Sequence, residues 1–158
     1  MRRLSGFLLA GALLMLPAFY GDAAVNAQDA AAKSNTLTFD GDTAILTVAI
    51  KPDKTADFEQ IMKDVGAALM KSEKPERKQQ AAGWKIVKSA TPMKDGNVVY
   101  MHLINPVVKG ADYTVLAILY EANPDPTAQR AIFEKYRDAF AASLGGGAFT
   151  TSVDLSKP

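Results

Sequence analysis

Between Thr43 and Ile50 apolar residues recur with a period of two, with Leu46, Val48 and Ile50 on one side and Ile45, Thr47 and Ala49 on the other. That alternation is the mark of a strand whose two faces are used differently. From Thr55 the period lengthens. Phe58, Ile61, Met62, Val65, Ala68 and Leu69 recur every three or four residues, which predicts a helix with a single apolar stripe, Thr55 as its cap and Asp57 and Glu59 near its start. Ser72-Glu73-Lys74 interrupts it. Pro75 to Ala82, with proline at the start and Gly83 just past the end, predicts a second, short helix, and the dense charges from Glu73 to Lys78 read as its solvated face.

Two β-prone runs follow between Trp84 and Asn105, joined by Asp95-Gly96. A two-residue hairpin loop there sets Lys94 opposite Asn97, Thr91 opposite Tyr100 and Ser89 opposite His102. In that register Ser89, Thr91, Tyr100 and His102 share one face, while Trp84, Ile86, Ala90, Val99, Met101 and Leu103 share the other. Lys88 then falls among apolar residues, which places it near a sheet edge or points to a bulge. Tyr113 to Tyr120 fits both a strand and a helix, and the Asp112 cap together with the common helical face of Tyr113, Leu116 and Tyr120 favours a short helix. Asn123-Pro124-Asp125-Pro126 stops the chain and restarts it, with Asp125 as N-cap. Ile132, Tyr136, Ala139, Phe140 and Ser143 mark the stripe of a long helix expected to end at Gly145-Gly146-Gly147, read as C-cap and linker. Phe149 to Leu155 alternates again and reads as the last strand.

The order strand, helix, strand, strand, helix, strand predicts an α+β fold. Its economical form is a ferredoxin-like βαββαβ layout, an antiparallel sheet with helices on one face. Leu46, Val48, Ile50, Trp84, Ile86, Val99, Met101, Leu103, Phe149 and Val153 are expected to meet the helices. The opposite face, with Ile45, Val87, Val98, Tyr100, His102 and Ile104, is then too apolar to stand in water, and its simplest cover is the same face of a second subunit.

The N-terminus is read separately from the fold. Arg2 and Arg3, the apolar run Gly6 to Phe19 and the small residues around Val25-Asn26-Ala27 form a signal-peptide pattern, too short and too interrupted by Pro17 for a membrane span. Residues 1–27 are therefore expected to be cleaved, residues 28–41 to be a flexible leader, and residues 42–156 to form a single α+β domain in the periplasm or outside the cell. Cleavage removes Arg2, Arg3 and Asp22 from 18 basic and 17 acidic residues, leaving the mature chain formally neutral. No charge surplus points to nucleic acid or to a membrane surface once the signal is gone. The chain has no cysteine, so packing or a partner must supply the stability that exported proteins often take from disulfides.

With the first strand running into Lys51-Pro-Asp-Lys-Thr-Ala-Asp-Phe58, the order of elements resembles the dimeric α/β-barrel superfamily that includes the antibiotic-biosynthesis monooxygenase-like domains. Lys78-Gln-Gln-Ala-Ala-Gly-Trp84-Lys and Pro106-Val-Val-Lys-Gly-Ala-Asp-Tyr113 resemble a group of small exported bacterial proteins without assigned function. The resemblance covers about residues 42 to 156. It implies a fold and carries no catalytic residue, since the superfamily holds monooxygenases, haem-degrading enzymes and proteins without known activity.

His102 is the only histidine in the sequence, so neither a histidine-rich metal site nor a cofactor is expected. His102 with Tyr100, Ser89 and Thr91 forms the candidate ligand-binding set, on the face expected to look into the barrel. The plainer reading is a histidine satisfied within a dimer core. Two function classes result. One is a non-enzymatic exported domain that binds a small apolar ligand or assembles as a homodimer. The other is a cofactor-independent monooxygenase-like or isomerase-like enzyme, using His102 and Tyr100 in the barrel interior. A cavity reaching His102 separates an occupied interior from one packed shut.

Overall fold

The computed structural model describes residues 36–157; the expected signal peptide, 1–27, and most of the expected leader lie outside them. Strand β1 (Thr43–Ile50) leads through a 3-10 turn (Pro52–Lys54) into α1 (Thr55–Lys71) and α2 (Pro75–Gly83). The hairpin β2 (Trp84–Lys88) and β3 (Val98–Ile104) follows, then α3 (Val115–Ala122), α4 (Pro126–Ala139) and β4 (Phe140–Phe149). The four strands pair antiparallel in the order β2-β3-β1-β4, which is ferredoxin-like topology.

Local sequence explains most of the element boundaries. The Asp125 carboxylate caps α4 by accepting from the backbone N–H groups of Thr127 and Ala128, with Pro126 in the first turn, where a missing N–H does no harm. The stripe of α1 buries Phe58, Ile61, Val65 and Leu69 as its spacing predicts. Ile61, Val65 and Leu69 pack with Val115, Ile118 and Leu119 of α3, which settles the ambiguous segment as a helix. Phe58 goes to the sheet instead and packs with Val48, Ile50 and Tyr100.

The hairpin departs from its expected register. Trp84 faces Ile104, Ile86 faces His102 and Lys88 faces Tyr100, a shift of three residues from the pairing that a two-residue loop would set. An odd shift turns every β3 side chain over. Tyr100 and His102 therefore point to the helices, with Trp84, Ile86, Leu46 and Val48, while Val99, Met101 and Leu103 join Ile45, Thr47 and Val87 on the open face. The cause is local, because Asp95-Gly96 belongs to a longer loop. Gly96 N–H bonds the Met93 carbonyl at 2.9 Å, Asp95 Oδ1 accepts from Asn97 N–H at 3.1 Å, and Pro92 has no N–H to continue a ladder. Lys88 does lie on the helix side near the sheet edge, since β2 is an edge strand.

The C-terminal elements also differ from expectation. Helix α4 ends at Ala139, and Phe140 is already extended, with φ −74° and ψ 135°. The glycine triplet lies inside β4 instead of ending a helix. Gly146 sits opposite Leu46, and a Cβ at Gly146 would fall against the Ile45 carbonyl oxygen and within 2.9 Å of Leu46 Cδ2. Close approach of two backbones, not chain termination, is what glycine serves there. The strand expected over Phe149 to Leu155 is not formed, and Val153 and Leu155 are 73% and 92% exposed.

Within residues 36–41, expected as the end of a flexible leader, Leu37, Phe39 and Gly41 pack against the domain. Leu37 donates its N–H to Asp112 Oδ1 at 3.0 Å, and Phe39 is buried with its ring 5.4 Å from that of Tyr113.

Gly146→Ala is expected to destabilise the fold by about 1–3 kcal/mol through overpacking at the β1–β4 contact. Gly66→Ala, within α1 and with open space where a Cβ would go, should instead be neutral or stabilise by up to about 1 kcal/mol. Urea midpoints of both variants check the contrast, and equal shifts would contradict it.

Candidate functional site

A cavity of about 330 Å³ lies between the sheet and the helix side of the fold. Its floor is Leu46 and Val48 of β1 with Trp84 of β2 and His102 of β3, and its roof includes Tyr113 and Tyr136. Leu37, Thr114, Val115 and Leu116 complete a mostly apolar wall that contains no Asp, Glu, Lys or Arg, and the Thr114 hydroxyl donates to Asp112 Oδ1 at 2.6 Å. Alternation along the strands is what brings the floor together, since Leu46 pairs with His102 and His102 with Ile86, two residues from Trp84.

His102 is 3% exposed. Trp84 Nε1–H donates to His102 Nδ1 at 3.2 Å, and the imidazole packs 6.1 Å from the Phe58 ring. Because Nδ1 accepts, the neutral ring carries its proton on Nε2. That Nε2–H has no partner among the described residues, yet it is not sealed away from accessible space. Burial pushes the imidazole down from 6.5 to about 4, because a charged ring would lose its hydration. At neutral pH His102 is a buried hydrogen-bond donor and a poor proton acceptor.

Tyr136 is the second polar group on the wall without a hydrogen-bond partner among the described residues. Burial raises its phenol to about 12, so it stays a neutral hydroxyl. The Tyr113 hydroxyl is already engaged, accepting from Val108 N–H at 2.8 Å.

Of the four residues singled out in the sequence, the structure brings only two onto one side of the sheet. Tyr100 is two residues from His102 on the helix side, but its hydroxyl turns to the sheet edge and donates to Glu59 Oε1 at 2.6 Å. Lys88 Nζ reaches the same oxygen at 3.0 Å. The Tyr100 bond, then Lys88, holds the Glu59 carboxyl below its usual range. Ser89 and Thr91 are exposed in the hairpin loop, where Ser89 Oγ donates to the Thr91 carbonyl at 2.7 Å. The four do not form one cluster.

The sequence also hid a buried cation. Arg77, expected on a solvated face, is 8% exposed. It donates to Gln80 Oε1 at 3.0 Å, to the Asp112 carbonyl at 2.7 Å and to Glu121 Oε2 at 2.9 Å. Such a pairing clamps α2 to the segment before α3 and to α3 itself. Its only advance signal is the three-residue spacing of Arg77 and Gln80 on one face of a short helix. Two surface grooves of about 430 and 490 Å³ beside the helices are lined by charged residues, Lys71 in both, with Arg77 and Glu121 in one and Asp64 and Lys135 in the other.

Comparison with protein-family profiles, curated proteins and solved structures finds no match for this chain.

The lowered His102 value has a definite consequence for acid stability. The unfolded chain takes up the proton near pH 6.5 and the native one only near 4, so the histidine's contribution is complete above pH 6.5 and is lost as pH falls towards 4. The loss amounts to about 3 kcal/mol at about 1.36 kcal/mol per pH unit. His102→Gln should remove this part of the pH dependence while leaving that of the carboxylates. Urea unfolding of both proteins at pH 7 and pH 4 checks it, and parallel losses would contradict a buried neutral His102.

Proposed function

We propose that this chain is an exported, non-enzymatic binding domain that holds a small apolar ligand in the cavity beside His102 and works as a homodimer. The observation that carries the reading is the open pocket of about 330 Å³, lined mostly by apolar side chains and reaching the one histidine. Its size is at the lower end of the range used for small-molecule sites, and its few polar groups suit orientation of a ligand more than reaction.

The rival reading is a cofactor-independent monooxygenase-like or isomerase-like enzyme, in which His102 takes a proton from substrate. A general base works best with a pKa near the operating pH. Burial moves His102 to about 4, well below neutrality, and the Tyr100 hydroxyl is committed to Glu59 outside the cavity. Both facts favour binding.

Dimerisation is supported by the open sheet face. Val99, Met101, Leu103, Ile45 and Val87 lie there, on the side opposite the helices, and Val87 is 40% exposed. Covering apolar surface is favourable by about 25 cal/mol per Å², and a second copy offers the same face. The ferredoxin-like sheet agrees with the resemblance to dimeric α/β-barrel proteins, although the ligand cavity proposed here is on the helix side of each sheet. Export rests on residues 1–27, which read as a signal peptide.

Native mass spectrometry of the protein from the compartment where it accumulates tests these elements together. The expected species is a dimer of chains beginning at Gln28 that retains a small neutral molecule. Val99→Asp should release folded monomers with the molecule still bound. A bare monomer from the native compartment would contradict the proposal.

A further inference from the structure

The polar groups of the cavity specify its ligand more narrowly than its apolar walls do. This inference rests on the binding reading above. His102 Nε2–H is a donor with no partner among the described residues, on a side chain that is 3% exposed. Its tautomer is fixed from the other side of the ring by the Trp84 N–H at 3.2 Å, so Nε2 cannot turn into an acceptor without breaking that bond. That N–H reaches accessible space, where water satisfies it, and a ligand that supplies an acceptor oxygen takes over that hydrogen bond within a mostly apolar wall. Tyr136, whose hydroxyl has no hydrogen-bond partner among the described residues, lines the same cavity.

The walls exclude charge of either sign. No Asp or Glu lines the cavity to meet a cation, and no Lys or Arg to meet an anion. A charged ligand would lose its hydration there with nothing to replace it. The volume of about 330 Å³ lies at the lower end of the range for small-molecule sites, room for a compact ring or a short branched chain. Trp84, Tyr113 and Tyr136 give the walls aromatic character, which suits a flat ring.

We propose that the cavity takes a compact, neutral, mostly apolar molecule carrying one carbonyl-type acceptor oxygen, which receives the hydrogen bond of His102 Nε2–H.

The test uses acetophenone and isopropylbenzene, which have nearly the same shape and differ in the acceptor oxygen, with benzoate and 1-phenylethylamine as charged counterparts. The readout is NMR of the purified protein, in which one tryptophan and one histidine give a single indole N–H signal and a single imidazole. Acetophenone and isopropylbenzene should both shift the Trp84 indole signal saturably, and only acetophenone should move the His102 Nε2–H signal downfield. The charged probes should not saturate. In His102→Phe, acetophenone should weaken at least about threefold relative to isopropylbenzene, the size of one lost hydrogen bond. If that variant does not fold, the wild-type Nε2–H shift decides alone. Equal Nε2–H shifts from the two neutral probes would overturn the acceptor assignment and leave the cavity reading standing. Saturable binding of benzoate or 1-phenylethylamine as tight as that of acetophenone would overturn the neutral-ligand assignment. Failure of every probe to saturate would remove the cavity reading and this inference with it.

Discussion

The pairing of β2 with β3, with Lys88 across from Tyr100 and Trp84 across from Ile104, is the constraint on which the rest of the structure depends. Side chains alternate along a strand, so one residue of slip would exchange the two faces of β3. Val99, Met101 and Leu103 would then meet the helices, and Tyr100 and His102 would face away from them. Two interactions resist that slip. At one end Tyr100 and Lys88 converge on Glu59 of α1, an arrangement at the sheet edge that only the observed phase permits. At the other, Trp84 Nε1–H reaches His102 Nδ1. Between them the Phe58 ring packs 4.8 Å from Tyr100 and 6.1 Å from His102, filling the space beneath α1.

From the same phase comes the chemistry of the site. Buried beneath the helices and given only one partner, His102 remains neutral and directs its remaining N–H toward accessible space. The cavity therefore has a fixed donor where a catalytic site would need a proton acceptor with a pKa near neutrality. Binding a neutral acceptor is the work that such a group does without changing its protonation state.

Much of the fold was legible because periodicity is a local property. The alternation from Thr43 to Ile50 and the stripe from Phe58 to Leu69 named their elements and buried faces correctly, and Asp125-Pro126 marked the start of α4. The hairpin signal Asp95-Gly96 named the connection but not its length, because the preceding Pro92 and the turn closed by Met93 and Gly96 lengthen the loop. Register, and with it the faces of Tyr100 and His102, was lost at that point. The glycine triplet was misread for a related reason. After a helical stripe it resembles a stop, whereas in the strand Gly146 is required by the close approach of Ile45 and Leu46 and Gly145 by its positive φ of 93°. The site itself was half legible. His102 stood out as the only titratable side chain of its kind, whereas Leu37, Tyr113 and Tyr136 meet it from distant parts of the chain that no local spacing connects.

Nitrogen-15 NMR of the imidazole reads the state of the His102 ring without any variant or ligand. The expected result at neutral pH is an unprotonated Nδ1 and a protonated Nε2, with the ring taking up its second proton only near pH 4. A ring protonated on Nδ1, or one that titrates near 6.5 like a solvated histidine, would contradict the register, the Trp84 contact and the buried donor together.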